Sequence, residues 1–193
     1  HELEKIQEWA DNNNLKLNVS KSTEMILYKP GANVHSFQPP APLPGIKRVK
    51  ELKILGVTLT QNLSFDVHID KIISQTAQSM YALRVLRAHG LKGDSLWDVS
   101  RATLVAKLTY ASPAWWGYTS ETQKRRLHRL LIKLQRCGFL PAQFDSMADL
   151  CSAADDALFR SILSNENHVL HPLLPPIKST GYDLRTRAHS RII

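Results

Sequence analysis

A chain of 193 residues, 43% of them hydrophobic, is long enough for one ordinary domain or two small ones and can bury a real core, which excludes an intrinsically disordered protein. Its formal net charge of +8 favours an anionic partner, nucleic acid first and an acidic membrane surface second. Only two cysteines are present, Cys137 and Cys151, with no second Cys or His at zinc-finger spacing, and no apolar run approaches the ~18 residues of a membrane span. A reduced, intracellular protein fits these features best.

In chain order, "HELEKIQEWADNNN" at 1–14 carries Leu3, Ile6, Trp9 and Ala10 on one helical face. No capping residue precedes it, so the chain reads as beginning inside an element, as a piece of a longer protein. "LKLNV" at 15–19 and "EMILY" at 24–28 are expected to be short strands joined by a turn at "SKST". The proline-rich stretch 30–45 reads as a stiff surface connector; its Pro39-x-x-Pro42 lacks the flanking Arg that an SH3 ligand uses. "ELKILGVTL" at 51–59 is a third expected strand, with Gly56 marking a bulge or a close backbone approach.

From Phe65 onward the pattern is helical. Ile69, Ile72, Ile73, Thr76, Met80 and Leu83 form one stripe, and Gly90 ends that helix. A second helix is expected over 95–116, with Trp97, Leu104, Val105 and Leu108 inward and a kink at Pro113. Ser120 and Gln123 form a capping box for a third helix that ends near Cys137-Gly138. A fourth covers 146–164, and the chain from Asn165 reads as irregular. The expected fold class is α+β: a short antiparallel β portion, then a mostly helical bundle, then an irregular tail.

Asp155-Asp156 poses a chemical question, because an Asp-Asp pair holds Mg²⁺ in many polymerases. Here Met147, Leu150, Cys151, Ala154, Leu158 and Ile162 recur at helical spacing, which sets Asp156 on the wet face, four residues before Arg160. Successive helical residues diverge by about 100°, so these carboxylates do not grip one ion. His168 and His171 lack further ligands nearby, and no metal site is expected. Trp115 and Trp116, beside Tyr110 and Pro113, read as core packing rather than base stacking.

The clearest physical signal is "ETQKRRLHRLLIKLQRCG". Leu127, Leu130, Leu131 and Leu134 face a core, while Arg125, Arg129, Lys133 and Arg136 line another face, with Lys124 and Arg126 adding charge against one Glu. Such a row can track phosphates along a duplex; the alternative is a solvated helix face. Arg185, Arg187 and Arg191 add positive charge to the tail.

"WADNNNLKLNVSKSTEMILY" resembles the region just after the catalytic hairpin in reverse transcriptases of non-LTR (LINE-type) retrotransposons. The family pattern has a helix ending in Trp and a small residue, then Asn, Leu-x-Leu-Asn and Lys-Thr-x-x-Met; this chain has Trp9-Ala10, Asn14, Leu15-Lys16-Leu17-Asn18, Lys21-Ser22 and Glu24-Met25. Ser22 stands where Thr is commoner. "LKILGVTLTQNLSFDVHIDKI" is similar to the following strand, primer grip and thumb entry, and "YASPAWWG" to a thumb signature. "NENHVLHPLLPP" and "GYDLRTRAH" resemble the C-terminal ends of jockey- and CR1-like elements.

The resemblance implies the end of a palm at 1–60, a helical thumb at 61–140, and a C-terminal helix with extended tail at 141–193. It implies Lys21 as a general acid toward the pyrophosphate leaving group, and a primer grip at Lys53, Ile54, Leu55, Gly56 and Val57. It also implies an RNA template and a DNA primer as partners, with the rest of the polymerase lying upstream. Mg²⁺ belongs to the full-length parent, an RNA-directed DNA polymerase, with no cofactor in this chain, which alone would be inactive. No membrane is involved, and the parent would work in cytoplasm and nucleus as a ribonucleoprotein. A non-catalytic nucleic-acid-binding module and a helical protein-interaction domain remain open as alternatives.

Overall fold

The computed structural model describes residues 2–28 and 38–176, a mostly helical chain with a few short strands. Residues up to Asp155 form one unit and those from Asp156 a second. Arg185, Arg187, Arg191 and the rest of the tail beyond 176 lie outside the described residues.

Helix α1 spans Glu2–Asn12. Asn13 Nδ2 donates to the Trp9 carbonyl at 2.8 Å, and Asn14 takes a left-handed φ of 55° that ends the helix. Of its apolar face only Ala10 is buried; Ile6 and Trp9 are 50% and 60% exposed.

The expected strand at 15–19 does not form. Asn18 Oδ1 accepts from the Lys21 N–H at 3.2 Å and from Ser20 Oγ at 2.7 Å, and the chain winds into a 3₁₀ turn at Val19–Lys21. Short polar side chains here offer the backbone a local partner that outcompetes a strand ladder. The strand expected at 24–28 shrinks to β1, Thr23–Glu24, which pairs in parallel with β2, Lys47–Arg48, across the proline-rich connector. The first strand pair is therefore parallel, not antiparallel. A salt bridge of 2.7 Å from Arg48 Nε to Glu24 Oε1 reinforces it.

The single strand expected at 51–59 is a hairpin. β3, Glu51–Ile54, and β4, Val57–Thr60, pair antiparallel, with Ile54 opposite Val57. Leu55 and Gly56 are the two-residue turn, at φ of 46° and 95°. Positive φ at both central positions is the turn geometry whose twist matches paired strands. Gly56 thus marks a reversal rather than a bulge.

α2, Asp66–Ala88, buries Ile69, Ile72, Thr76, Met80 and Leu83, with His68 alongside. The next helix is interrupted. α3, Gly93–Ser100, passes into a π-helical segment at Arg101–Val105 and then α4, Ala106–Thr109. Leu104, Val105 and Leu108 are buried, whereas Leu96 rather than Trp97 supplies the buried side chain of α3. The helix stops well before 116. An α-helical Pro113 would leave the Thr109 carbonyl without a donor and clash with it. Instead Ala111 turns left-handed, and Pro113 sits in the first turn of a 3₁₀ segment, Ser112–Ala114, where its missing N–H costs nothing.

α5, Glu121–Arg136, is capped by Ser120, whose Oγ accepts from the Gln123 N–H at 3.4 Å. The Gln123 side chain does not return to Ser120, so only half of the expected box forms; it donates to Asp66 Oδ1 at 2.9 Å. α6, Met147–Ser164, carries a complete box, with Ser146 Oγ and Asp149 Oδ2 each meeting the other residue's N–H.

The core lies where α2, α4, α5 and the start of α6 meet. Leu104, Leu108, Trp115, Leu127, Leu131, Leu134, Phe139, Met147 and Cys151 are essentially inaccessible within it. Full burial of each such side chain contributes roughly 1.5–3 kcal/mol. α2 and α5 run in the same direction: Asp66 meets Gln123, Asp70 meets Arg126, and Arg87 donates to the Cys137 carbonyl.

Candidate nucleic-acid interface

At about 100° per residue, the buried leucines of α5 occupy one side, and Arg125, Arg129, Lys133 and Arg136 fall within about 80° on the other. All four are exposed. From Arg125 to Arg136 the stripe runs about 16 Å, a length over which one duplex strand presents about five phosphates. Among the described residues, none of these four pairs with a carboxylate; Arg125 Nε donates to the Glu121 backbone carbonyl at 3.3 Å.

Lys124 and Arg126 are placed differently. Arg126 Nη1 donates to Asp70 Oδ1 and, at 2.7 Å, to Gln123 Oε1, so its charge is committed to the α2–α5 seam. Lys124 lies on the opposite flank, bridged to Glu121 Oε1 at 3.0 Å and standing 5.3 Å from the Trp116 ring centroid. The acidic partner of Arg126 comes from another helix, and the local pattern of α5 carries no signal of it.

The hairpin brings Lys53, Leu55 and Gly56 to one tip, and all three are exposed. Leu55 is 87% exposed and Ile54 51%, although both are apolar. Tyr110 Oη donates to the Leu55 carbonyl at 2.9 Å, and a Cβ on Gly56 would lie 3.2 Å from the Tyr110 ring. The tip is therefore fastened through its backbone, which leaves the Leu55 side chain free. Tyr110 opens the segment "YASPAWWG", the segment that locks the core below it. Trp115 is fully buried, donates Nε1–H to the Tyr110 carbonyl at 3.0 Å, and meets His68 and Trp116 edge-on. Core packing thus describes Trp115, and Trp116 is half-buried.

Lys21 is exposed on the 3₁₀ turn, and its backbone N–H is held by Asn18. Its described hydrogen bonds run to Asn18, and none of them reaches the stripe or the hairpin tip. Asp155 and Asp156 occupy successive exposed positions of α6. Four residues on, Arg160 Nε donates to the Asp156 backbone carbonyl at 3.2 Å rather than to its carboxylate. Among the described residues, no group of three or more His, Cys, Asp or Glu is placed to hold a metal ion, and no helix is long and apolar enough to cross a membrane.

The groups shifted by burial belong to the core. Burial, and next the charge of Lys71, lower the His68 pKa. Burial pushes the Cys151 thiol up to about 11, partly offset by the Ser112 hydroxyl. Asp149, by contrast, is lowered by hydrogen bonds from Ser146, which is cap chemistry.

No family model, curated protein or solved structure matches this chain.

Proposed function

We propose that this chain grips a nucleic-acid duplex by its backbone, as the palm end and thumb of a non-LTR retrotransposon reverse transcriptase holding RNA template and DNA primer. The observation that carries the reading is the α5 stripe: four exposed cations, Arg125, Arg129, Lys133 and Arg136, without a carboxylate partner among the described residues. Contacts of that kind set position and carry no base identity. The exposed Leu55 on a fastened hairpin supplies a second surface for the primer strand.

Catalysis of nucleotide addition belongs to the parent polymerase. The described residues do not fit Mg²⁺, since Asp155 and Asp156 diverge on a helix and no cluster of three or more His, Cys, Asp or Glu is formed among them. Lys21, exposed on a turn whose backbone Asn18 fixes, is the candidate proton donor within this reading.

The test is fluorescence anisotropy with labelled RNA–DNA hybrids of three unrelated sequences. Equal affinities are expected, and Arg129→Ala with Lys133→Ala should weaken all three by the same factor. Absence of binding, or affinities that differ tenfold among sequences, would overturn the reading.

A further inference from the structure

A cavity of about 250 Å³ lies between the N-terminal half of α5 and the start of α6, lined by Trp116, Lys124, Arg125, His128, Met147 and Ala148. We propose that it receives one unpaired nucleotide of a single-stranded segment that continues from the duplex on the α5 stripe. This rests on the duplex-binding reading above.

The volume decides the ligand's size. Pockets for whole small molecules run to roughly 300–1,000 Å³, so this one suits a single unit of a longer chain. The lining decides its chemistry. Met147, 1% exposed, gives an apolar floor, and Trp116 gives an aromatic wall held edge-on against the fully buried Trp115, ring centroids 6.1 Å apart. Aromatic walls accept any base, because every base has a π-face. Lys124, Arg125 and His128 line it as well, and so does the Glu121 carboxylate, which is bridged to Lys124; the Lys124 ammonium in turn stands 5.3 Å from the Trp116 ring centroid, so Arg125 and His128 are the uncommitted groups.

The N-terminus of α6 does not supply the anion recognition. Ser146 Oγ and Asp149 Oδ2 are 2.7 Å apart and engaged with each other, and the Asp149 carboxylate occupies the first turn. Attraction for a phosphate therefore falls to the cations of α5. Arg125 belongs both to this rim and to the stripe, so a strand leaving the stripe at Arg125 arrives at the cavity mouth.

The experiment compares a blunt RNA–DNA hybrid with the same hybrid bearing a three-nucleotide overhang of DNA or of RNA, and with a free oligothymidylate. An overhang should tighten binding. Trp116→Leu should remove that gain, about five- to hundredfold for loss of one stacked base, and leave blunt-hybrid affinity unchanged. Trp116 is half-buried, so the exposed His128→Ala serves as a second variant and should reduce the same gain. A gain confined to one overhang chemistry supports the site and identifies the strand. If the overhang adds nothing, or the gain survives both variants, the proposal is wrong. Failure of the blunt hybrid to bind, with oligothymidylate binding still lost in His128→Ala, would sink the duplex reading and leave the cavity standing.

Discussion

Leu55 is costly where it stands. It is 87% exposed, and its φ of 46° is one that L-residues with a branched side chain avoid. The left-handed conformation costs roughly 1–2 kcal/mol for an ordinary residue and less for Asn. So little of the side chain is buried that removing it forfeits only a small part of the roughly 1.5–3 kcal/mol of full burial. Leu55→Asn, which produces the Asn-Gly turn favoured in hairpins, should therefore stabilise the fold by about 1 kcal/mol. For a chain of this size that raises the melting temperature by about 2–4 °C. If the tip touches primer, the same change should weaken hybrid binding severalfold, so that stability and affinity move in opposite directions. Thermal unfolding by circular dichroism and anisotropy on one preparation read both. An unchanged or lower melting temperature would refute the strain argument. A higher one with unaltered binding would remove the hairpin from the interface.

Arg126→Ala should leave hybrid affinity unchanged in an anisotropy titration and cost only about 0.2–1 kcal/mol of stability, because its half-exposed guanidinium serves Asp70 on α2. His68 has its pKa held below the ordinary 6.5 by burial and by Lys71, so the unfolded chain binds that proton more readily. Its contribution is full above about pH 6.5 and is lost as pH falls below it; His68→Phe should flatten the fall in urea midpoint between pH 7 and pH 5.5 relative to the parent. Cys151, buried and with its thiol raised to about 11, should resist alkylation in the folded protein while the partly exposed Cys137 reacts, as mass spectrometry of partly labelled protein would show.

What the sequence disclosed, it disclosed through period and composition. The α2 stripe, the leucine face of α5 and the helical setting of Asp155 and Asp156 follow from spacing alone, because one buried face dictates each pattern. The N-terminal third was harder. "LKLNV" alternates like a strand, yet Asn18 and Ser20 close a local turn that no alternation can report. In 51–59 Gly56 suggests a bulge or a close approach inside one strand, whereas the pairing of Ile54 with Val57 makes it half of a two-residue turn, which depends on where the chain folds back and not on local composition. The site was legible in part. The arginine and lysine row could be read from α5, but its division into free and committed cations depends on Asp70, more than fifty residues earlier in the chain. The cavity walled by Trp116 and Met147 joins segments about thirty residues apart, which single-helix periodicity cannot bring together.

The backbone-gripping role of α5 is tested most directly by the salt dependence of hybrid binding, with Arg129→Ala plus Lys133→Ala set beside the parent after circular dichroism has shown the helices intact. Each phosphate contact releases counterions and contributes about 0.9 to the log–log slope on B-form DNA and about 0.7 on a single strand. Removing two contacts should flatten the slope by about 1–2 and lower affinity equally for every sequence. A folded double variant that keeps the parent's affinity and slope would contradict the assignment of the stripe as the nucleic-acid surface.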